Sequence, residues 1–243
     1  MWGFFMQQTR VLRYICLSLF IMKLLKNILI GFAIVTIISC NATRVVKPLA
    51  KGEKHMGVGL GGALIKFVGV PMPLPLTNVY GAYGVTDKTT AFGSLHTTAL
   101  MFGVFQTDVG IIQNVIKQNK FIPGVSISPI VNMMLDRWDQ NFSFYPQLDA
   151  NAYWNYGKKQ NLLYASMNNW FELRNTKAHN ETQTTHWLPS IGLGHQWYGK
   201  NLNWQLEAKY IAPNQSNRNI VVDYIGMGNK GTFGLYIGLS RKF

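Results

Sequence analysis

The residues of this sequence whose types could do chemistry are a serine, a histidine and an aspartate close together in the chain. Ser94 and His96 stand two positions apart, and Asp108 follows on the next predicted strand. A serine nucleophile needs a histidine base and an acidic residue that orients the base. Residues at positions i and i+2 of a strand share a face but seldom hydrogen-bond directly. The three are therefore candidates for a hydrolytic site near one rim of the fold.

A second group of reactive side chains consists of charges on polar strand faces, namely Asp149, Glu207 and Lys209. Lys209 lies two positions after Glu207, so both side chains point to the same side of a strand. Buried charges persist only when they are paired. Lys209 could pair with Glu207 or, across an enclosed lumen, with Asp149. The pattern predicts a structural charge network.

Metal and phosphate sites find little support in the sequence. His179, Glu181 and His186 lie in or just after a predicted loop, but two histidines and one carboxylate at this loose spacing are a weak zinc signal. The glycine-rich stretch 57–62 begins no helix, so it does not fit a phosphate-binding loop. We predict neither a metal ion nor a cofactor.

The elements that must position these side chains alternate on a period of two residues. Between Phe142 and Tyr156, one face is almost entirely apolar, and the other carries mostly amide and hydroxyl groups. A helix would mix these two sets, because its faces repeat every 3.6 residues. The same alternation recurs in 202–210 and 232–243. Few charges lie on the polar faces, which is typical of an enclosed lumen.

Ten such segments predict ten strands, with eight as the alternative count. The segments are 55–66, 76–86, 89–101, 104–115, 121–134, 141–156, 161–173, 185–198, 201–212 and 230–243. Short and long links alternate, except for a tight link near 102–103. This alternation is typical of outer-membrane barrels, which have short periplasmic turns and long external loops. We therefore predict an all-β fold: a single antiparallel up-and-down transmembrane β-barrel over 55–243, with both mature termini in the periplasm.

The amino-acid composition excludes several other classes of protein. The 243 residues include 14% charged and 13% aromatic residues, which excludes a disordered chain. Two cysteines are too few for a disulfide scaffold. The net charge of +13 comes from scattered basic residues, so nucleic acid is not expected as a partner. A soluble lipocalin-like binding barrel in the periplasm stays open, because its strands alternate too.

The first forty residues predict an export signal. Residues 1–39 combine basic residues with apolar stretches, and Met22 is a plausible true start. The ending Ile37-Ile38-Ser39-Cys40 resembles the lipobox of bacterial lipoproteins. The resemblance implies that Cys40 carries the lipid, with 40–54 as a polar tether. An uncleaved membrane anchor over 11–39 is the alternative.

The terminal Phe243 closes an alternating segment. This ending resembles the signal that outer-membrane proteins present to the barrel-assembly machinery, which the resemblance implies as a partner together with the lipid bilayer. A ten-strand bore is narrow and would be crowded by its inward aromatic side chains. We therefore expect a structural or accessory role beside an envelope protein. A narrow solute or ion pathway and a rim-located hydrolase or lipid-modifying enzyme are the alternatives.

Overall fold

The computed structural model describes residues 43–138, 140–176, 182–218, 220 and 222–243. Within these ranges the chain forms eleven strands and one short helix. They are β1 (Lys54–Phe67), β2 (Val70–Pro73), β3 (Leu76–Thr86), β4 (Thr89–His96), α1 (Thr97–Met101), β5 (Val104–Ile116), β6 (Gly124–Asp136), β7 (Phe142–Tyr156), β8 (Asn161–Phe171), β9 (Trp187–Tyr198), β10 (Leu202–Ser216) and β11 (Lys230–Lys242). No helix in this part of the chain is long and apolar enough to cross a bilayer.

The strands close into a barrel. From β3 to β11 each strand pairs antiparallel with the next, and β1 pairs with both β3 and β11. The closing seam runs from His55 opposite Lys242 to Ala63 opposite Gly234. β2 extends one end of β1 as a hairpin and stands outside the ten-strand ring. The predicted antiparallel up-and-down barrel and its count of ten strands are confirmed.

The two faces of the wall differ as they do in membrane barrels. Apolar side chains of β7 and β10 face outward, with Phe144 48% and Leu206 47% exposed. Polar side chains of the same strands face inward, with Asn151 2% and Gln205 6% exposed. A soluble barrel needs the opposite arrangement, because a continuous apolar surface in water drives aggregation. The lipocalin-like alternative is therefore wrong, and the outer surface suits hydrocarbon.

The two ends of the barrel have different links. We call one the short-turn end; it holds the tight links after β3, β7 and β9, the start of β1 and the end of β11. The other, the long-loop end, holds the β1–β2 hairpin, α1 and the links at 137–141, 172–186 and 217–229. The predicted strand 89–101 is too long: it stops at His96, and α1 supplies the turn predicted near 102–103. The hydroxyl of Thr77 on β3 forms hydrogen bonds with the hydroxyls of Thr97 and Thr98. These bonds hold the helix against β3.

Residues 43–50 lie inside the barrel, and we call them the lumen segment. They belong to the stretch predicted as a polar tether, but Val46 is fully buried and Leu49 is 7% exposed. The chain reverses before β1 at Gly52, whose φ of +82° favours glycine. Close passage of Ala50 over Gly84 leaves no room for a side chain there. The segment therefore enters the lumen from the short-turn end.

Candidate functional site

The lumen segment is fixed to the wall through its backbone. The Leu49 amide donates a 2.8 Å hydrogen bond to Oγ1 of Thr90, and the carbonyl of Val46 accepts a 2.6 Å bond from the Ser126 hydroxyl. Leu49 and Val45 also pack in an apolar cluster with side chains of β3 to β6. Because buried backbone groups are costly to leave unpaired, these contacts specify one position for the segment.

The first buried carboxylate that the segment reaches is Asp108 on β5. Its side chain is fully buried. Its Oδ2 atom accepts hydrogen bonds from the Ser94 hydroxyl at 2.6 Å and lies 2.8 Å from Nε2 of His96. The Arg44 guanidinium forms an ion pair with the same oxygen. The structure thus brings Ser94, His96 and Asp108 together and adds a cation from the lumen segment.

This arrangement differs from that of a hydrolytic triad. In a triad the serine hydroxyl bonds the histidine, which in turn bonds the acid. Here the Ser94 hydroxyl donates to Asp108 itself, so the carboxylate and not the imidazole accepts its hydrogen bond. All three side chains are also buried, at 6% exposure or less. The geometry therefore favours a structural role for the cluster, which binds Arg44, and does not favour a nucleophilic site.

The second buried carboxylate is Glu207 on β10, which is also fully buried. The backbone nitrogen of Thr43 donates to its Oε2 atom at 2.7 Å, and the Thr43 hydroxyl donates to Oε1 at 2.8 Å. The Ser166 hydroxyl donates to Oε1 at 3.0 Å. The carbonyl of Thr43 accepts a hydrogen bond from the Gln205 amide. One residue of the lumen segment thus binds both oxygens of one carboxylate.

The predicted charge network surrounds the second carboxylate. Nζ of Lys209 lies 3.6 Å from Oε1 of Glu207 and donates a 2.9 Å bond to Oδ1 of Asn168. Asp149 is 6% exposed and accepts a 2.8 Å bond from the Gln147 amide. Lys209 also attracts Asp149 electrostatically. Lys209 therefore interacts with both carboxylates that the sequence predicted as its partners, Glu207 and Asp149.

The lumen segment borders a small and a large cavity. A cavity of about 20 Å³ beside Arg44 and Asp149 has room for about one water molecule. A larger cavity of about 550 Å³ opens at the short-turn end, and we call it the vestibule. Its basic lining side chains are Lys47, Lys88, Lys117 and Lys120, with Asp87 as an acidic neighbour. Lys47 belongs to the lumen segment, so the vestibule lies against this segment.

The structure describes only one of the four other predicted site residues, His186. Cys40, His179 and Glu181 lie outside the described residues. His186 lies at the long-loop end, where its Nδ1 is 2.8 Å from the carbonyl of Glu172. In the part of the chain that the structure describes, no three His, Cys, Asp or Glu side chains are grouped to hold a metal ion.

Sequence reasoning missed the lumen segment, which supplies Thr43 and Arg44 to the site. Its residues have no periodicity, so they look like a tether. The signal that could have found them is the excess of carboxylates over cations on the inward faces. Asp108, Asp149 and Glu207 face inward with Lys209 as the basic partner on the strands, so a cation from elsewhere was needed.

No protein-family model and no curated protein matches this sequence. Among solved structures, it is similar to the translocator domain of the autotransporter NalP from Neisseria meningitidis, with 11% identity, a TM-score of 0.46, and coverage of 80% of this chain and 90% of that one. It is also similar to an outer membrane channel from Pseudomonas putida F1, with 10% identity, a TM-score of 0.42, and coverage of 82% and 98%. The outer membrane protease OmpT from Escherichia coli has 9% identity, a TM-score of 0.35, and coverage of 83% and 100%. At these values the comparisons carry no argument about function.

Proposed function

We propose that this protein is an outer-membrane β-barrel with a structural or accessory role, closed by its own N-terminal lumen segment. The observation that carries the proposal is the pair of contacts that fix this segment in the bore. Arg44 binds Asp108 and Thr43 binds Glu207, and both carboxylates are fully buried. In the part of the bore that the structure describes, a segment held in this way occupies space that is open to water in a porin.

Planar-bilayer recording tests the closed state. The purified protein is expected to show no steady conductance after insertion. The Arg44→Met variant, which removes the cation from Asp108, should show openings, since the segment is then held less tightly. A steady conductance of the unchanged protein would contradict the proposal.

A narrow solute or ion pathway is the second candidate function. The observation in its favour is the vestibule, whose four lysines make it attractive to anions. Transport would require the lumen segment to leave the bore. If Arg44→Met opens a path, the path should prefer chloride over potassium. Adding Lys117→Gln and Lys120→Gln should reduce that preference, with Lys158→Gln on the nearby turn as a matched control.

The accessory role is supported by the β1–β2 hairpin at the long-loop end. Val68 is 88% exposed and Phe67 60% exposed at its tip, and Val70 follows at 63%. Apolar tips of this kind suit insertion among lipid headgroups or contact with an envelope protein. Purification in mild detergent should retain a partner, which Phe67→Ser with Val70→Ser should release. A barrel that always purifies alone would count against the accessory role.

Assembly through the C-terminal strand belongs to the same proposal. The Phe243 amide donates a 2.9 Å hydrogen bond to the carbonyl of Lys54, so the last residue lies at the closing seam. Deletion of Phe243 should lower the amount of folded barrel in the outer membrane, measured as the heat-modifiable band on a gel. Lys242→Gln is the matched control, because it leaves the terminal aromatic residue in place. Both chain ends are then proposed to face the periplasm, and lipid attachment at Cys40 stays a prediction.

A further inference from the structure

The contact between Thr43 and Glu207 is unusual in its chemistry. A fully buried carboxylate normally receives a positively charged partner. Lys209 is 3.6 Å from Oε1 and directs a hydrogen bond to Asn168. Oε2 accepts a hydrogen bond from the main-chain nitrogen of Thr43, at 2.7 Å. A nitrogen in this position would neutralise Glu207 if it were a chain terminus and therefore an ammonium group.

The balance of charges in the lumen also favours an ammonium group at Thr43. Within the described residues, three buried carboxylates lie on the inward strand faces, namely Asp108, Asp149 and Glu207, and a fourth, Glu172, lies at the long-loop end. The permanent cationic partners of the first three are Arg44 and Lys209. An ammonium group at Thr43 would add a third positive charge beside Glu207, whose other cationic partner, Lys209, is 3.6 Å away.

The sequence places a cleavage pattern directly before this nitrogen. Export signals end in small residues at the first and third positions before the cut. Ala42 and Cys40 occupy these positions relative to Thr43, and both are small. The apolar stretch 28–38 precedes them at the usual distance from a cut. The same stretch that resembles a lipobox therefore also fits cleavage after Ala42.

We propose that a membrane-bound signal peptidase hydrolyses the bond between Ala42 and Thr43, and that the new α-ammonium group of Thr43 pairs with Glu207 inside the barrel. Water supplies the hydroxyl that completes the Ala42 carboxylate. It also supplies the hydrogen for the released Thr43 amine, which takes up a further proton from solvent. The inference does not rest on the accessory role, since it concerns only how the exported chain is processed.

Lipid attachment at Cys40 and cleavage after Ala42 are alternative processing routes. The first leaves Cys40 as the first residue of the mature chain, and the second leaves Thr43.

The first test is the mass and N-terminal sequence of the chain purified from the membrane after export of the full precursor. The expected first residue is Thr43 with a free amine. A lipid-modified Cys40, or a first residue other than Thr43, would overturn the proposal. The accessory role is untouched by either result, because its own test is partner retention.

Variants separate the two processing routes. Cys40→Ala removes the thiol that lipid attachment needs but keeps a small residue, so cleavage before Thr43 should be unchanged. Ala42→Leu should cause the uncleaved precursor to accumulate several-fold, and Asn41→Leu is the matched control at the permissive middle position. Normal processing of Ala42→Leu, or loss of processing in Cys40→Ala, would contradict cleavage after Ala42.

Amine labelling tests the buried pair itself. In the folded barrel an amine-specific acetylating reagent should modify exposed Lys158 at least tenfold faster than the Thr43 amine. After unfolding, the order should reverse, because an α-amine has a lower pKa than a lysine side chain and is less protonated near neutral pH. Glu207→Gln should raise the labelling of Thr43 in the folded barrel. Equal labelling of Thr43 and Lys158 in the folded protein would show that the terminus lies outside the lumen.

Discussion

Asp108 and Glu207 are two fully buried carboxylates that neighbouring residues of the lumen segment bind in different ways. Asp108 receives the side chain of Arg44, together with Ser94 and His96. Glu207 receives the main-chain nitrogen and the hydroxyl of Thr43. The first partner is charged in every form of the chain, whereas the second gains its charge only if the chain is cut before Thr43.

The two carboxylates together hold the segment at one position in the bore. Two carboxylates on opposite parts of the wall, β5 and β10, bind two consecutive residues. A shift of the segment by one residue would remove both contacts together, because successive side chains of an extended chain point in opposite directions. The buried charges therefore fix the register of the segment as well as its presence.

Loss of the Arg44 charge should have the largest effect. Arg44→Met leaves Asp108 as an uncompensated buried charge, which costs about 3–5 kcal/mol when a buried pair is broken. The free energy of unfolding in detergent micelles measures this. The double variant Arg44→Met with Asp108→Asn should recover part of the loss, since no lone charge remains. A single variant as stable as the unchanged barrel would show that the ion pair is unimportant.

Loss of the Glu207 charge should come second. Glu207→Gln weakens the hydrogen bonds from Thr43 and Ser166, and bonds to a charged group are worth about 1.5–3 kcal/mol. The same unfolding measurement applies, with Glu172→Gln at the long-loop end as a control for any loss of a carboxylate. If Glu207→Gln costs more than Arg44→Met, the ranking of the two carboxylates is reversed and the side-chain ion pair is not the stronger anchor.

A neutral anchor of the same segment should matter less. Ser126→Ala removes the 2.6 Å hydrogen bond to the carbonyl of Val46, which should cost about 1 kcal/mol. Thermal unfolding resolves a change of this size. Ser143→Ala, on the half-buried part of β7, should change stability by less than about 0.5 kcal/mol. Equal effects of the two variants would mean that the backbone of the segment is not held at Val46.

The smallest effect should come from Glu53, a carboxylate at the edge of the barrel. Burial acts to raise its pKa, but hydrogen bonds from Lys242 and His55 outweigh this and hold the pKa of Glu53 below its ordinary value. The contribution of Glu53 to the free energy of unfolding is therefore complete above its pKa in the unfolded chain, about 4.3. This contribution is lost as the pH falls through the lower pKa of the folded protein. The difference in stability between the unchanged barrel and Glu53→Gln should stay under about 1 kcal/mol and should shrink on acidification. A stability difference that grows as the pH falls would contradict the predicted direction of the pKa shift.

The sequence predicts the wall of the barrel well because the wall follows one local rule. The alternation from Phe142 to Tyr156 matches the bounds of β7, since each residue of a strand chooses between lipid and lumen independently of distant residues. The rule fails where the backbone leaves the sheet. The predicted strand 89–101 includes 97–101, which forms α1 instead and is held by threonine contacts with β3 that the local pattern does not encode.

The lumen segment could not be predicted by that rule. Thr43 and Arg44 gain their environment from β10 and β5, which lie far away in the chain, so no window of neighbouring residues contains the information. The grouping of Ser94, His96 and Asp108 was partly visible, because antiparallel pairing brings adjacent strands together. Its role changes with Arg44, because the apparent triad is the site that binds this cation of the lumen segment.

The position of the lumen segment also has a kinetic consequence. Thr43 and Glu207 are 164 residues apart in sequence, and the seam between β1 and β11 joins residues that are just as distant, such as His55 and Lys242. Contacts of such high sequence separation form slowly, because the intervening chain must be ordered first. We therefore expect refolding in two phases, a faster pairing of strands that are adjacent in sequence and a slower step that closes the seam and seats the segment. The first residues of the barrel domain to be synthesised would be the last to reach their native partners.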